Sequence, residues 1–264
     1  MCRLLGVIAN KLVDLKFSLL DADKPFRSFT VNNPDGWGIG NYENNSTKVF
    51  KEGISAIESN ELPTLSKEVI SKIIIAHVRK ASDKKKAPPS VENSHPFQYN
   101  NWMFAHNGSV DKGHLLEILD DKYKKNIKGQ TDSEIFFYWI LQCINKQGNV
   151  IGGIKKAVSE VKKEYYTALN FLLSDGANLY AFRCAKINET YYSLYKLIRN
   201  TSDSEPIEFI SKETSVLIES KSLKGERAIL VCSEKLTEEN WEEINIGKLV
   251  IVDSNLNVKE ENLL

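Results

Sequence analysis

Short apolar segments, each bounded by polar or turn-forming residues, set the rhythm of the chain. Residues 2–9 (Cys-Arg-Leu-Leu-Gly-Val-Ile-Ala) form a run too short for a helix and read as a buried strand. Pro34-Asp-Gly-Trp-Gly-Ile-Gly40 reads as a turn entering a strand, and Lys72–Arg79, rich in β-branched residues, as another strand. Lys80–Asn93 carries Lys84-Lys-Lys-Ala-Pro-Pro89 and reads as an exposed loop. Asn101–His106 is a strand pattern that runs into Asn107-Gly108, a turn dipeptide.

The pattern then changes period. Leu115–Leu119 reads as a short helix. Thr131-Asp-Ser-Glu134 reads as a helix start, with Thr131 as the cap and Glu134 three residues on. Ile135–Ile144 behind it is apolar nearly all round, the mark of a buried helix, and Val150–Lys163 is amphipathic. Strand patterns return at Ala168–Leu173, Leu179–Cys184, Tyr191–Ile198, Arg227–Ser233 and Lys248–Val252, with loops at Asn200–Ser204 and Ser220–Lys224. Strands first, helices in the middle and strands again suit a layered α+β domain with sheets packed together and helices outside. The order does not suit a doubly wound parallel sheet, which alternates regularly.

Composition narrows the classes. The chain has 264 residues, with 35 basic side chains balanced by 35 acidic ones. Its length leaves one large domain or two small ones open. The charge balance speaks against a general nucleic-acid binder, which needs a basic footprint. No apolar run approaches the ~18 residues of a membrane span. The first ten residues lack the pattern of a secretion signal, so a cytoplasmic, reducing location is expected, with Cys2, Cys143, Cys184 and Cys232 as free thiols. The last three fall within helix or strand patterns and read as small buried hydrophobes. Three of the four histidines, His77, His95 and His106, lie close in sequence, but no carboxylate sits at ligand spacing, so no metal is expected and no cofactor is called for.

Cys2 is set apart by position. Removal of Met1 would give it a free α-amino group, whose ordinary pKa of about 7.7–8.0 suits a base near neutral pH. A thiol and an amine on one residue make a nucleophile with its own base. Taken alone, a second-position cysteine is more readily read as chance.

Six segments in order change that reading: Met1-Cys-Arg-Leu-Leu-Gly6, Asp35-Gly-Trp-Gly38, His77-Val-Arg79, Asn93-Ser-His-Pro96, Ala105-His-Asn-Gly108 and Thr131-Asp-Ser-Glu134. With Cys232-Ser-Glu-Lys-Leu-Thr237, Trp241 and Gly247-Lys-Leu-Val-Ile251 they make the chain resemble the class II glutamine amidotransferases, the glutaminase branch of the N-terminal-nucleophile hydrolases. The likeness is greatest to the small stand-alone members. It implies a four-layer αββα sandwich of two mainly antiparallel sheets flanked by helices, formed by residues 1–264 as a single domain.

The resemblance also implies roles. Cys2 would attack the γ-carboxamide of glutamine and form a thioester. Asn107, through its side-chain NH2, and Gly108, through its backbone N–H, would form the oxyanion hole. Arg79 would clamp the substrate α-carboxylate with its planar fork, and Asp132 would pair with the α-ammonium. Asp132 also suits a helix first turn, and Asn107-Gly108 also suits a hairpin turn. His106 and His77 read as supports of the site, His95 and Ser82 as closer to substrate, and Trp37 as either core or pocket wall.

Lys80-Ala-Ser82 departs from the aromatic and threonine that follow the arginine in the sugar-phosphate members, which puts the outer contacts to glutamine in question. No synthase domain is expected on this chain, so ammonia would pass to a separate synthase partner. The functions to weigh are a glutaminase, a γ-glutamyl amidohydrolase in a specialised biosynthetic pathway, and a non-catalytic module that senses glutamine or docks a partner.

Overall fold

The computed structural model describes residues 2–200, 208–210, 217–219 and 227–264. Met1 lies outside the described residues, as do the loops read at 200–204 and 220–224 except Asn200, which closes a strand.

In chain order the elements are β1 (Arg3–Val13), β2 (Trp37–Glu43), β3 (Ser46–Glu52), α1 (Leu62–Glu68), β4 (Ser71–Val78), β5 (Phe97–Tyr99), β6 (Trp102–Val110), α2 (Lys112–Ile118), α3 (Asp121–Lys124), α4 (Asp132–Gln147), α5 (Val150–Val161), β7 (Tyr166–Ser174), β8 (Leu179–Phe182), β9 (Tyr195–Asn200), β10 (Glu208–Ile210), β11 (Leu217–Glu219), β12 (Arg227–Cys232), β13 (Glu242–Glu243), β14 (Lys248–Val252) and β15 (Val258–Asn262). Seven strands form the first sheet, in the order β13-β9-β12-β1-β4-β2-β3, and six form the second, β15-β14-β8-β7-β6-β5. The pairings within both are antiparallel. The strands β10 and β11 pair with each other.

The sheets stack on a shared apolar layer to which Leu4, Ile8, Ile73, Ile75, Met103, Ala105 and Leu172 contribute. Alternate residues of the same strands face outward, because side chains change face at every step of a strand. Leu5, Val7, Ile74 and Ala76 therefore pack under Leu15, Leu19, Phe26 and Leu62. On the far side, Phe104, Phe171 and Phe182 pack under Phe136, Ile140, Ile154 and Val158 of α4 and α5. The αββα order matches the expected fold, but the two helical layers differ. The second sheet is covered by the long α4 and α5, whereas the first is covered by α1 and by short π and 3-10 turns at Phe17–Asp21 and Phe26–Asn32.

Three local readings change. Asn107-Gly108 is not a turn: both residues continue β6, paired with Asn170 and Leu169 of β7, and the register shifts only beyond Gly108. The long antiparallel pairing overrides the local turn preference. Thr131 caps α4 by accepting from Glu134 N–H, as read, but Glu134 turns to the backbone N–H groups of Lys128 and Gly129. The β9 strand begins at Tyr195 rather than Tyr191, because residues 188–192 form a turn in which Asn188 O accepts from the N–H groups of Tyr191 and Tyr192.

Candidate active site

The N-terminal end of β1 and the C-terminal end of β4 lie side by side, with Arg3 opposite Val78. Cys2 is therefore brought against Arg79-Lys80. Its Sγ lies 3.4 Å from Lys80 N, which donates to it, and 3.6 Å from Lys80 O. The thiol is half-buried, and desolvation pushes its pKa above the ordinary thiol value; the Lys80 hydrogen bond and the Arg79 charge oppose that shift. Burial lowers the pKa of the Arg79 guanidinium, and Cys2, Asp35 and Asp132 counter the effect. Thiol, guanidinium and the two carboxylates thus share one electrostatic neighbourhood.

Arg79 is buried and holds the following loop. Its Nη1 donates to Asp35 O and Pro88 O, each at 3.2 Å, and its Nη2 donates to Ala87 O at 2.8 Å. Of the five N–H donors on a guanidinium, Nε–H and one Nη2 proton have no such carbonyl partner among the described residues. Asp35 fastens the near end of the same loop. Its Oδ2 accepts from Ala81 N–H at 2.9 Å, and its Oδ1 pairs with Lys84 Nζ at 2.6 Å. The carboxylate is 3% exposed and the lysine 61%, so the ion pair is screened at one end only. Ser82 lies exposed in this loop.

In the facing sheet, Asn107 is buried and its side-chain Nδ2 has no hydrogen-bond partner among the described residues. An unpaired buried amide donor costs about 1–3 kcal/mol unless an acceptor arrives. At Gly108 a Cβ would overlap the Ala168 carbonyl oxygen, so only glycine lets β6 pass β7 so closely here. Asp132, at the start of α4, accepts from Val110 N–H at 2.8 Å through Oδ2 and from Ser133 N–H at 2.9 Å through Oδ1. It joins the helix start to the strand end that carries Asn107 and Gly108.

The histidines divide by face. His77 lies on the inner face of β4 and donates from Nε2 to His106 O at 3.3 Å. His95 packs on His77 with ring centroids 4.1 Å apart, and neither of its ring nitrogens has a partner among the described residues. His106 points away from the inter-sheet layer. Its Nδ1 accepts from the Ser133 hydroxyl at 3.0 Å, its Nε2 donates to Ala168 O at 3.2 Å, and Phe136 packs against its ring. It supports the Gly108 region from behind rather than lining a substrate cleft. Trp37 is likewise turned away. It belongs to the outer core of the first sheet and donates its indole N–H to Glu52 Oε2 at 2.9 Å. Cys2, Arg79, Asn107, Gly108 and Asp132 are thus gathered at one edge of the sandwich, while Trp37 and His106 face away.

A family model described as glutamine amidotransferases class-II matches residues 1–260. The chain belongs to the class II glutamine amidotransferases. An uncharacterized protein of Methanocaldococcus jannaschii is 31% identical over 262 residues, spanning 95% of this amidotransferase and 69% of the relative. YafJ of Escherichia coli K12, named as a glutamine amidotransferase, is 26% identical over 262 residues, spanning 94% and 96%. In three dimensions, a glutamine aminotransferase class-II domain protein from Silicibacter pomeroyi matches with a TM-score of 0.65 and 18% identity, covering 99% of both chains. The glutamine phosphoribosylpyrophosphate amidotransferase of B. subtilis matches with a TM-score of 0.64 and 18% identity, covering 100% of this chain and 49% of its own. The fold is the two-sheet sandwich of the N-terminal-nucleophile amidotransferases.

Two features of this amidotransferase were not picked out as site residues in the sequence. Asp35 stands in the Asp-Gly-Trp-Gly segment, and its part in holding the Arg79 loop shows only when β2 and β4 are side by side. Thr167, with no motif around it, reaches the backbone next to Gly108.

The enclosed histidines have a measurable consequence. Burial pushes the His77 pKa down to about 3. Burial, reinforced by His77, His106, Arg79 and Lys51, holds His95 well below 6.5. The unfolded chain takes up protons on these rings near pH 6.5, so stability is complete above that value and falls as the pH drops through it. The slope is about 1.4 kcal/mol per pH unit for each such ring until its folded pKa is reached. Thermal melts between about pH 7.5 and 4.5 are expected to show this decline, and His95→Phe, which keeps the packing on His77 and Phe97, is expected to flatten it. An unchanged slope in that variant would contradict the assignment.

Proposed function

We propose that this amidotransferase releases ammonia from glutamine, or cleaves a related γ-glutamyl amide, through a thioester on Cys2. The observation that carries the reading is the placement of the Cys2 thiol against the Lys80 peptide, next to the buried Arg79, in a sandwich whose other sheet holds a buried Asn107 amide with no partner among the described residues. Residues 1–264 act as a single domain, with Cys2 as the first residue once Met1 is removed.

Arg79 takes the substrate α-carboxylate on its remaining donors, and Asp132 takes the α-ammonium. Together they orient the γ-carboxamide toward the thiol. Sulfur attacks the amide carbon while its proton passes to the Cys2 α-amine. The carbonyl π electrons move to oxygen, where Asn107 Nδ2 and Gly108 N–H receive the charge. Each such donor is worth about 2.7–4 kcal/mol in the transition state. The amine then returns the proton to nitrogen, the C–N bond breaks, and ammonia leaves a thioester. Water adds to the thioester carbon, giving its proton to the amine, and collapse of that intermediate restores the thiol and frees glutamate.

Ser82, exposed in the loop after Arg79, serves as an outer contact in this reading, whereas His95 is enclosed against His77 and Phe97 and supports the site from within. The site requires no metal or cofactor for these steps. Ammonia goes to water or to a separate synthase partner, and the free thiols suit the cytoplasm. Incubation of the processed protein with glutamine and a panel of γ-glutamyl amides, followed for ammonia and glutamate, tests the reading. Equal amounts of both from glutamine are expected. Failure to turn over any of the amides would overturn it and favour a sensing or docking module.

A further inference from the structure

The backbone of β6 is regular from Met103 to Gly108, pairing residue for residue with β7 from Ser174 to Leu169, and the register then shifts before Val110 meets Tyr166. At this irregularity two successive backbone donors leave the strand ladder and are taken by side chains. Val110 N–H goes to Asp132 Oδ2 at 2.8 Å. Ser109 N–H goes to the Thr167 hydroxyl at 2.9 Å.

Thr167 is held in turn. Its carbonyl accepts from Lys186 N–H at 2.9 Å, and its Oγ1 lies 3.0 Å from the Tyr192 hydroxyl. Tyr192 is buried, and its carbonyl accepts from Arg183 Nε at 3.1 Å and Asn170 Nδ2 at 2.9 Å. A buried guanidinium and a buried amide thus anchor the Tyr192 backbone, its phenol donates to the Thr167 hydroxyl, and that hydroxyl holds the peptide just beyond Gly108. Between Gly108 and Val110 the single residue Ser109 faces two residues of β7, Thr167 and Ala168, and a peptide left without a ladder partner at such a bulge takes its position from whatever side chain accepts its N–H.

We propose that Thr167 and Tyr192 are positioning residues for the oxyanion hole, fixing the chain on the far side of Gly108 so that its N–H stays aimed at the developing oxyanion. The inference rests on the amide-hydrolysis reading above, in which Gly108 is a donor. In this proposal both hydroxyls act through the Ser109 peptide and take no proton from the substrate. Their effect falls on kcat, since the oxyanion forms after the amino-acid end of the substrate is bound.

The test compares Thr167→Val, which removes the hydroxyl but keeps the shape, with Thr167→Ser, which restores it. Complete loss of an oxyanion donor costs about 10²–10³ in kcat, so misplacement of one is expected to cost about tenfold in Thr167→Val. KM for glutamine and the rate of Cys2 alkylation by iodoacetamide, which forms no oxyanion at this carbonyl position, are expected to stay within about twofold of the parent, and Thr167→Ser to recover kcat. Tyr192→Phe is expected to lower kcat in the same sense by a smaller factor. An unchanged kcat in Thr167→Val would overturn the proposal. So would a Thr167→Ser as slow as the valine variant, or an alkylation rate that falls in step with kcat. A parent enzyme with no turnover on any γ-glutamyl amide would overturn the hydrolysis reading and this one together. A parent with normal turnover beside an unaffected Thr167→Val would overturn this one alone.

Discussion

Cys2→Ala is expected to lower amide hydrolysis by about 10⁴-fold or more while leaving the fold in place. The size follows from chemistry: without the sulfur no thioester forms, and the remaining donors can only polarise the amide toward water. The intact fold follows from the surroundings of the thiol. Cys2 precedes β1, is half-buried, and its Sγ has the Lys80 peptide as its hydrogen-bond contact. Truncation therefore opens little space in the core, and the change in stability is expected to stay within about 1 kcal/mol. Melting temperature and turnover of the variant, measured side by side, check both halves. Substantial residual hydrolysis would remove Cys2 from the mechanism.

Arg79→Lys is expected to reduce kcat/KM for glutamine by about 10²–10³-fold, mostly through KM, the loss expected for breaking a buried charged hydrogen-bonding pair at about 2–5 kcal/mol. The substitution keeps the charge and removes the fork. A lysine has three donors on one nitrogen and cannot serve the Asp35, Ala87 and Pro88 carbonyls while also presenting two parallel N–H groups to a carboxylate. Two losses coincide: the substrate clamp and the hold on the loop after β4. Steady-state kinetics with glutamine and with an amide lacking the α-carboxylate separate them. The second substrate is expected to suffer much less from the substitution. Equal losses on both would place Arg79 in loop structure alone.

The residues gathered at the sandwich edge were legible in the sequence because each lies at the end of an element whose pattern is plain. Cys2 opens an apolar run, Arg79 closes another, Asn107 and Gly108 close a third, and Asp132 follows a helix cap. The direction in which side chains face was less legible. Strands β1, β4 and β6 are buried on both sides, so apolar residues fill both parities and alternation no longer tells inner from outer face. For that reason Trp37 and His106, each inside a matching segment, were open to a pocket reading, although Trp37 belongs to the outer core of the first sheet and His106 faces α4. The short π and 3-10 turns at Phe17–Asp21 and Phe26–Asn32 escaped for a different reason. They are five and seven residues long and belong to one core-covering layer, too short to show a helical period. The Asp35–Lys84 pair and the Thr167 contact join residues far apart in sequence, 49 positions and 58 positions respectively, and no local pattern marks either of them.

The central claim is that a mature N-terminal Cys2 is the nucleophile of a γ-glutamyl amide hydrolase. It is tested most directly by the intact mass of the protein before and after treatment with a glutamine-like diazoketone. The expected result is a starting mass lacking Met1 and a single adduct after treatment, located on Cys2 by peptide mapping and absent from Cys2→Ala. A protein that keeps Met1 and gains no adduct, or one that gains it on Cys143, Cys184 or Cys232 instead, would contradict the claim.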